Sequence, residues 1–257
     1  MKLIEALLYE QQAGPKAIFM AGPAGSGKST ILKKLGLENF RVINVDDDFE
    51  ALLHKEFGPE IKFKDMTPDQ LSTAAKMMGT ARKTTREKET SAIEDKLNIV
   101  IDGTGAASKP LLKKKADLER LGYQTFMFAL YVSPMTSLKR NAERDRSLPT
   151  PAVLSSWAGL TKNLEEYMTA FGNNIVLIDN DPQDADRTYD VETVKKMFPS
   201  PKGKPKTPEE QAKSDKRKEE LNQQIADLLS KEQSTKRAQM AVSFDEAQSK
   251  VKQFVAS

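Results

Sequence analysis

The sequence predicts an α/β fold, with a mostly parallel sheet of about five strands, helices on both faces and a helical C-terminal tail. Two observations support this prediction. Short apolar runs alternate with longer helical segments, as expected when a helix connects each pair of parallel strands. A glycine-rich loop directly follows the first apolar run and leads into a helix. The 257 residues are sufficient for one such domain and an appendage.

The first elements surround the glycine-rich loop. Residues 3–12 place leucines on one side of a short helix, which a Gly-Pro pair ends. The apolar run 16–21 is expected to be a strand, and 29–35 has the composition of the helix that follows the loop. A second strand, 41–45, ends in a run of three aspartates.

The middle of the chain repeats the alternation. A polar helical region from 68 to 96 leads to a third strand, 97–101, which ends at Asp102. Helix 110–120 precedes a fourth strand, 124–132. Ligands of open α/β sheets bind at the carboxyl ends of the strands. The glycine loop, the aspartate run and Asp102 are therefore expected at one edge of the sheet.

The later segments complete the sheet and then change in composition. A basic helix is expected at 136–146, another after Pro151, and a fifth strand at 174–178. Beyond Phe198, prolines mixed with lysines are typical of a flexible linker. Two charged helical stretches follow, which we expect to dock on another surface; they are 209–232 and 244–255. This change predicts a catalytic domain at 1–198 and a linker with accessory helices at 199–257.

Composition excludes several kinds of site. The absence of cysteine excludes disulfides, thiolate metal sites and a cysteine nucleophile, and the single His54 cannot form a histidine-rich metal centre. Any metal should therefore be hard and bound by oxygen. The 40 Lys+Arg against 37 Asp+Glu are weak evidence for a nucleic-acid partner. Without a signal peptide or a long apolar run, we expect a cytoplasmic protein that does not enter a membrane.

The strongest motif is the Walker A loop from Gly22 to Ser29, because it lies between a predicted strand and a predicted helix. Its backbone N–H groups and the helix N-terminus favour phosphate binding. Lys28 is expected to reach the β and γ oxygens of ATP, and Ser29 to ligate Mg²⁺. The expected nucleotide-binding residues are Gly22, Pro23, Ala24, Gly25, Ser26, Gly27, Lys28, Ser29 and Thr30.

Two further acidic segments should lie beside this loop. One of Asp46, Asp47 and Asp48 can accept the proton of an attacking hydroxyl or hold Mg²⁺ through water, although aspartates also favour the first turn of a helix. Asp102 can hold Mg²⁺, and the Gly-Thr-Gly turn after it lets a substrate approach the backbone closely. That turn could also simply leave the sheet.

Arginines suited to a phosphoryl group follow the fourth strand. Arg140 and Arg144 are four residues apart on a predicted helix, with Arg146 just beyond. Such arginines can offset the charge of a transferring phosphoryl group, unless they only form a solvated helix face. Arg82 and Arg86 repeat this spacing and are weaker candidates for substrate contact.

These residues together resemble the zeta-toxin group of P-loop kinases, which is related to polynucleotide kinases. The resemblance runs from Lys16 to Ile178. It is carried by the glycine loop, by the aspartate run, by an acid-Gly-Thr turn and by a Glu-Arg pair followed by a second arginine. The matching positions are Lys28 and Ser29, Asp46 to Asp48, Asp102 to Thr104, and Glu143-Arg144 with Arg146.

The resemblance implies roles for these residues. Asp48 would be the general base, Lys28, Arg144 and Arg146 would stabilise the phosphates, and Asp102 with Thr104 would contact the acceptor. The acceptor of the family's toxins is UDP-N-acetylglucosamine. The full set of expected substrate residues is Asp46, Arg82, Asp102 and Thr104, and that of metal ligands is Ser29, Asp46 and Asp102.

The leading hypothesis is a kinase that uses ATP and Mg²⁺ to phosphorylate an alcohol hydroxyl of a nucleotide sugar or another small metabolite. One alternative is the same chemistry on a nucleic-acid end or a hydroxylated base. Another is a nucleotide-dependent assembly protein, in which the accessory helices bind a protein partner and hydrolysis is slow.

Overall fold

The computed structural model describes residues 14–61, 66–144, 147–185, 187–198, 207–232 and 241–257. Three expectations fall outside these residues: the helix at 3–12, the position of Arg146, and the Lys/Pro-rich linker at 199–206. Within the described part of the chain, no helix is both long and apolar enough to cross a membrane.

Five parallel strands form one sheet in the order β2-β3-β1-β4-β5. The central strand β1 is buried along its whole length, which explains why its sequence is almost continuously apolar. This architecture confirms the predicted fold. The strands are β1 (Lys16–Ala21), β2 (Arg41–Ile43), β3 (Ile99–Gly103), β4 (Gln124–Tyr131) and β5 (Ile175–Asp179).

Helices connect the strands and cover both faces of the sheet. A helix at 191–197 was not expected from the sequence, and one at 45–57 was expected only as the alternative in which the aspartates begin a helix; the other helices correspond to predicted ones. They are α1 (Lys28–Lys34), α2 (Val45–Phe57), α3 (Pro68–Glu94), α4 (Ser108–Arg120), α5 (Pro134–Ala142), α6 (Thr150–Phe171), α7 (Val191–Met197), α8 (Pro208–Glu232) and α9 (Phe244–Ala256).

One boundary differs from the prediction in a way that affects the site. The second strand was expected to continue to residue 45, but it ends at Ile43. Asn44 caps α2 instead, since its side chain accepts a hydrogen bond from the Asp46 N–H at 2.8 Å. The three aspartates therefore lie in the first turn of a helix and not at the end of a strand.

The two faces of the sheet have separate cores. Helices α4, α5, α6 and α8 cover one face, where Trp157 and Tyr167 are fully buried. Helices α1 and α9 cover the other, where the ring of Phe254 packs 5.1 Å from that of Phe126. Helices α2 and α3 pack on each other around a third, smaller cluster that includes Phe49.

The helices beyond residue 206 pack on the rest of the domain. In α8, Ile225 is fully buried in the same core as α6. Before α9, Ala241 forms a parallel bridge with Leu177 of β5. The side chain of Gln248 in α9 donates to the carbonyl of Lys34 at the end of α1, at 2.7 Å. The domain boundary at residue 198 stays a prediction, and both helices dock on this chain.

Phe254→Ala is expected to lower the free energy of unfolding by about 3 kcal/mol, because it removes an aromatic ring from the core and leaves a cavity. Chemical denaturation followed by circular dichroism would measure the change. Gln253→Ala, at an exposed position of the same helix, is the control. Equal unfolding midpoints for the two variants would show that α9 does not stabilise the sheet.

Candidate active site

The phosphate loop, residues 22–29, is held by hydrogen bonds to its own carbonyl groups. Lys28 Nζ donates to the carbonyl of Gly22 at 2.7 Å. The Ser26 N–H donates to the Pro23 carbonyl at 3.1 Å, and the N–H of Ile31 closes the loop at the Gly27 carbonyl at 3.0 Å. These bonds satisfy the carbonyl groups at both ends of the loop with donors from the loop itself and from α1.

The three carbonyls between them accept hydrogen bonds from outside the loop. The donors are Ser137 and Arg140 of α5, and Asn180 just after β5. Asn180 is fixed in turn because its neighbour Asp181, whose side chain is fully buried, accepts a hydrogen bond from the Ser133 N–H at 2.9 Å. The bonds are Ser137 Oγ to Ala24 O at 2.5 Å, Arg140 to Gly25 O at 3.4 Å, and Asn180 Nδ2 to Ser26 O at 2.8 Å.

Every carbonyl from Gly22 to Gly27 thus has a protein donor. Gly27 must be glycine for two reasons, since its φ is +89° and a Cβ atom there would lie 2.6 Å from Asn180 Nδ2. The protein's own donors therefore hold the shape of the loop. In a loop held in this way, backbone N–H groups other than that of Ser26 can bind an anion.

Lys28 lies among charges of both signs. Burial lowers the pKa of its ammonium below the ordinary value; Asp102 and Asp46 oppose this shift, and Arg144 adds to it. These effects place two carboxylates and one guanidinium near Lys28. The structure therefore brings together four residues that the sequence predicted for the site.

Asp102 lies at the end of β3, half-buried beside the phosphate loop. Its Oδ2 accepts a hydrogen bond from Asn44 Nδ2 at 3.1 Å, and the same amide donates to Asp47 at 3.1 Å. Burial raises the pKa of Asp102, which the charge of Lys28 partly offsets. Asn44 thus links the end of β3 to the first turn of α2, a role that the sequence analysis missed.

Asp46 and Asp48 lie in different surroundings although they share one turn. Asp46 is exposed and close enough to Lys28 to affect its pKa. The side chain of Asp48 is 8% exposed, forms an ion pair with Lys88 and accepts a hydrogen bond from Thr85 Oγ1 at 2.5 Å, both on α3. Burial would raise the pKa of Asp48, but these hydrogen bonds and the charge of Lys88 bring it below its ordinary value.

The other predicted residues are more dispersed. Ser29 and Thr30 are exposed in the first turn of α1, and Arg82 and Arg86 are exposed on α3. Thr104 is exposed in the turn after β3, where its Oγ1 accepts from the Ala106 N–H at 3.3 Å.

The Gly-Thr-Gly turn is held from the opposite side by α6. Tyr167 donates its hydroxyl hydrogen to the Gly105 carbonyl at 2.7 Å. Gly105 has a φ of +67°, and a Cβ atom there would lie 2.8 Å from side-chain atoms of Ala21 and Leu160. A glycine is therefore needed at this position so that the turn can pack against β1 and α6. Thr104 remains exposed beside it.

The residues present fit a Mg²⁺ ion. Among the described residues, only three buried side-chain oxygens lack a hydrogen-bond partner, and two of them, Ser26 Oγ and Asp102 Oδ1, are at this site. No group of three or more His, Cys, Asp or Glu side chains forms a metal cluster in the described part of the chain. Kinases usually hold Mg²⁺ with one or two carboxylates together with substrate phosphates and water, and the unpaired Asp102 Oδ1 is an oxygen of this kind.

Sequence reasoning missed the parts of the site that depend on tertiary structure. Ser137 and Asn180 were not considered, and Arg140 was considered only for charge. Nothing in the local sequence shows that their side chains reach the phosphate loop. For Asn44 a signal did exist, because asparagine before an acidic run is a common helix cap.

The fold and this site define a P-loop kinase. A family model for the zeta toxins matches residues 3–180, so the chain belongs to the zeta toxin family, which confirms the resemblance in sequence. The chain is accordingly a nucleotide-dependent kinase. No curated protein matches it.

The chain is similar to several solved structures, and the two with a TM-score above 0.5 share its fold. The native AvrRxo1-ORF1:-ORF2 complex matches with a TM-score of 0.54 and 15% identity, over 86% of this chain and 82% of that chain. The same complex with ATP matches with a TM-score of 0.51 and 15% identity, over 87% and 78%. The PezAT toxin-antitoxin system of Streptococcus pneumoniae matches with a TM-score of 0.44 and 16% identity, over 84% and 87%.

Asn180→Ala is expected to weaken ATP binding about fivefold, because it leaves the Ser26 carbonyl without its donor, a loss of about 1 kcal/mol. Isothermal titration calorimetry would measure the dissociation constant. Asn173→Ala, an exposed position just before β5, serves as the control. Unchanged affinity in Asn180→Ala would show that the loop keeps its shape without this contact.

Asp102→Asn is expected to stabilise the metal-free protein at neutral pH. Because burial raises the pKa of Asp102, its ionisation weakens the folded state. The gain should be full above the folded-state pKa and should disappear as the pH falls to the ordinary value of about 4. Thermal unfolding in a chelating buffer at several pH values would test this. A loss of stability at neutral pH would contradict it.

Proposed function

We propose that this protein transfers the γ-phosphoryl group of ATP to an alcohol hydroxyl of a small metabolite, with a nucleotide sugar as the leading candidate. The observation that carries the proposal is a phosphate loop in which every carbonyl from Gly22 to Gly27 has a protein donor, with Asp46 and Asp102 close enough to Lys28 to affect its pKa. This arrangement provides an anion site with carboxylates next to it. ATP bound to the AvrRxo1 complex, which shares the fold, supports ATP as the donor.

The residues on the donor side stabilise negative charge. The loop N–H groups and the N-terminus of α1 would bind the phosphates, and Lys28 would exchange its bond to the Gly22 carbonyl for phosphate oxygens. Arg144 lies near Lys28 and would offset charge on the transferring group. Arg146 is proposed for the same role on the basis of the family resemblance.

Mg²⁺ would be held by Ser29 and Asp102, whereas Asp46, the third metal ligand expected from the sequence, is assigned to proton transfer below. When bound, it would neutralise charge on the β and γ oxygens. The unpaired Oδ1 of Asp102 is the observation that favours this assignment.

Either of two carboxylates, Asp46 or Asp48, could act as the general base. The family resemblance assigns it to Asp48, but that carboxylate is buried and already bound to Thr85 and Lys88. Asp46 is exposed and lies near Lys28. A base must reach the hydroxyl that it deprotonates, so we assign this role to Asp46.

The acceptor would lie between α2 and the turn after β3. Thr104 is exposed there, and Asp102 and Arg82 complete the proposed contacts. Asp46 would orient the acceptor hydroxyl and take its proton while the hydroxyl oxygen attacks the γ-phosphorus and ADP leaves.

A protein partner is also proposed. The neighbour AvrRxo1-ORF1 was solved as a complex with ORF2, which supports this idea. Helix α8 offers a surface for a partner, because most of its charged residues are exposed although its apolar side packs on α6.

The direct test is transfer of label from γ-labelled ATP, with Mg²⁺, to a panel of nucleotide sugars, nucleosides, and DNA or RNA ends. We expect label on a nucleotide sugar, UDP-N-acetylglucosamine first. Label on nucleic-acid ends would instead identify a polynucleotide kinase. ATP binding without transfer to any acceptor would contradict the proposal and favour an assembly protein.

Asp46→Asn is expected to lower kcat about 100-fold or more while ATP binding is retained, because it removes the base. Asp48→Asn, in the same turn, is the matched comparison and should cost about tenfold, since it disturbs only the position of that turn. Single-turnover kinetics with labelled ATP would measure both. The reverse order of the two effects would return the role of base to Asp48.

A further inference from the structure

The first turn of α2 is attached to the domain at two points. On one side, Asn44 Nδ2 donates to Asp102 Oδ2 at the end of β3. On the other side, Asp48 contacts Thr85 and Lys88 of α3. Asp46, the proposed base, lies between these two attachments.

The part of α3 that holds Asp48 is itself anchored to the core. One residue beyond Lys88, Glu89 forms an ion pair with Lys114 of α4 at 2.6 Å. Ala92 is 2% exposed within the core of the sheet, and its carbonyl accepts a hydrogen bond from the Tyr123 hydroxyl at 3.3 Å. Asp48 therefore connects α2 to a part of α3 that is anchored to the core of the sheet.

The rest of the α2–α3 pair is less firmly attached to the sheet. The apolar contacts of Phe49 and Leu53 are made within the third cluster, shared by α2 and α3 and separate from the two cores of the sheet. Apolar packing is non-directional and does not fix how the first turn of α2 is rotated. The hydrogen bonds of Asp48 have directions and can fix that rotation.

We propose that Thr85 and Lys88 are positioning residues for phosphoryl transfer. They hold Asp48 and thereby aim Asp46 at the phosphate loop. This inference rests on the proposed function, because it concerns the geometry of the base in that reaction. It explains why Asp48, which is buried and bound to Thr85 and Lys88, lies only two residues from the exposed Asp46.

The test uses four variants of the full chain. Lys88→Met and Thr85→Val remove the two contacts of Asp48, and Lys88→Arg keeps a cation. Lys83→Met is the matched control, since Lys83 lies on the same helix and forms an exposed ion pair with Glu87 at 3.8 Å.

Two measurements distinguish positioning from simple stabilisation. The first is kcat and KM for ATP with UDP-N-acetylglucosamine as the probe acceptor. The second is hydrogen exchange by mass spectrometry over residues 45–53, which needs no substrate. Melting temperatures of all four variants accompany both measurements.

We expect Lys88→Met and Thr85→Val each to lower kcat by up to about tenfold, no more than Asp48→Asn, with KM for ATP close to that of Lys83→Met and a fall in melting temperature too small to account for the loss of kcat. Exchange over 45–53 should become faster in both, and Lys88→Arg should restore most of kcat. A kcat in Lys88→Met equal to that of Lys83→Met would overturn the inference. Losses of kcat that only follow the melting temperature would also overturn it.

Failure of the proposed function would have a different signature. In that case the wild-type protein transfers no label, and exchange alone decides whether Thr85 and Lys88 hold the turn. Unchanged exchange in Lys88→Met would then overturn the inference, and faster exchange would support the contact as the anchor of α2.

Discussion

The carbonyl groups of the phosphate loop impose the constraint on which the site depends. A buried carbonyl without a donor costs free energy, so a sharp glycine-rich turn can persist only if each of its carbonyls is satisfied. Here part of that requirement is met by α5 and by the residue after β5. The loop therefore takes its shape from segments that lie more than a hundred residues further along the chain. Phosphate affinity is in this sense a property of the whole fold.

The strand order explains how these segments come together. Because β1 lies between β3 and β4, the phosphate loop ends between the turn that carries Asp102 and the start of α5. Acidic residues therefore lie on one side of the loop and Arg140 on the other. In the proposed reaction, Arg144 on the β4 side would offset charge on the transferring group, and Thr104 on the β3 side would contact the acceptor.

The sequence predicted those features that are encoded locally. The phosphate loop could be found because its glycines, Lys28 and Ser29 are adjacent, and the five strands because each is a short apolar run. The family resemblance assigned the base to Asp48. The contacts that lead us to propose Asp46 instead could not be predicted, because they depend on where α2 begins and on residues of α3 that are distant in sequence. Asn180 was missed for the same reason: a single polar residue after a strand carries no sign of the carbonyl that it will bind.

The position of α9 late in the sequence affects the order in which the parts of this domain can fold during synthesis. Ribosomes release a chain from its N-terminal side, so the strands that carry Ile18 and Phe126 are made long before Phe254, which covers them. During that interval one face of the sheet presents apolar side chains without this part of its cover. Exposed surfaces of this kind are bound by chaperones and are prone to association. This face of the sheet is therefore fully covered only after α9 has been made and its Gln248 has bonded to the end of α1.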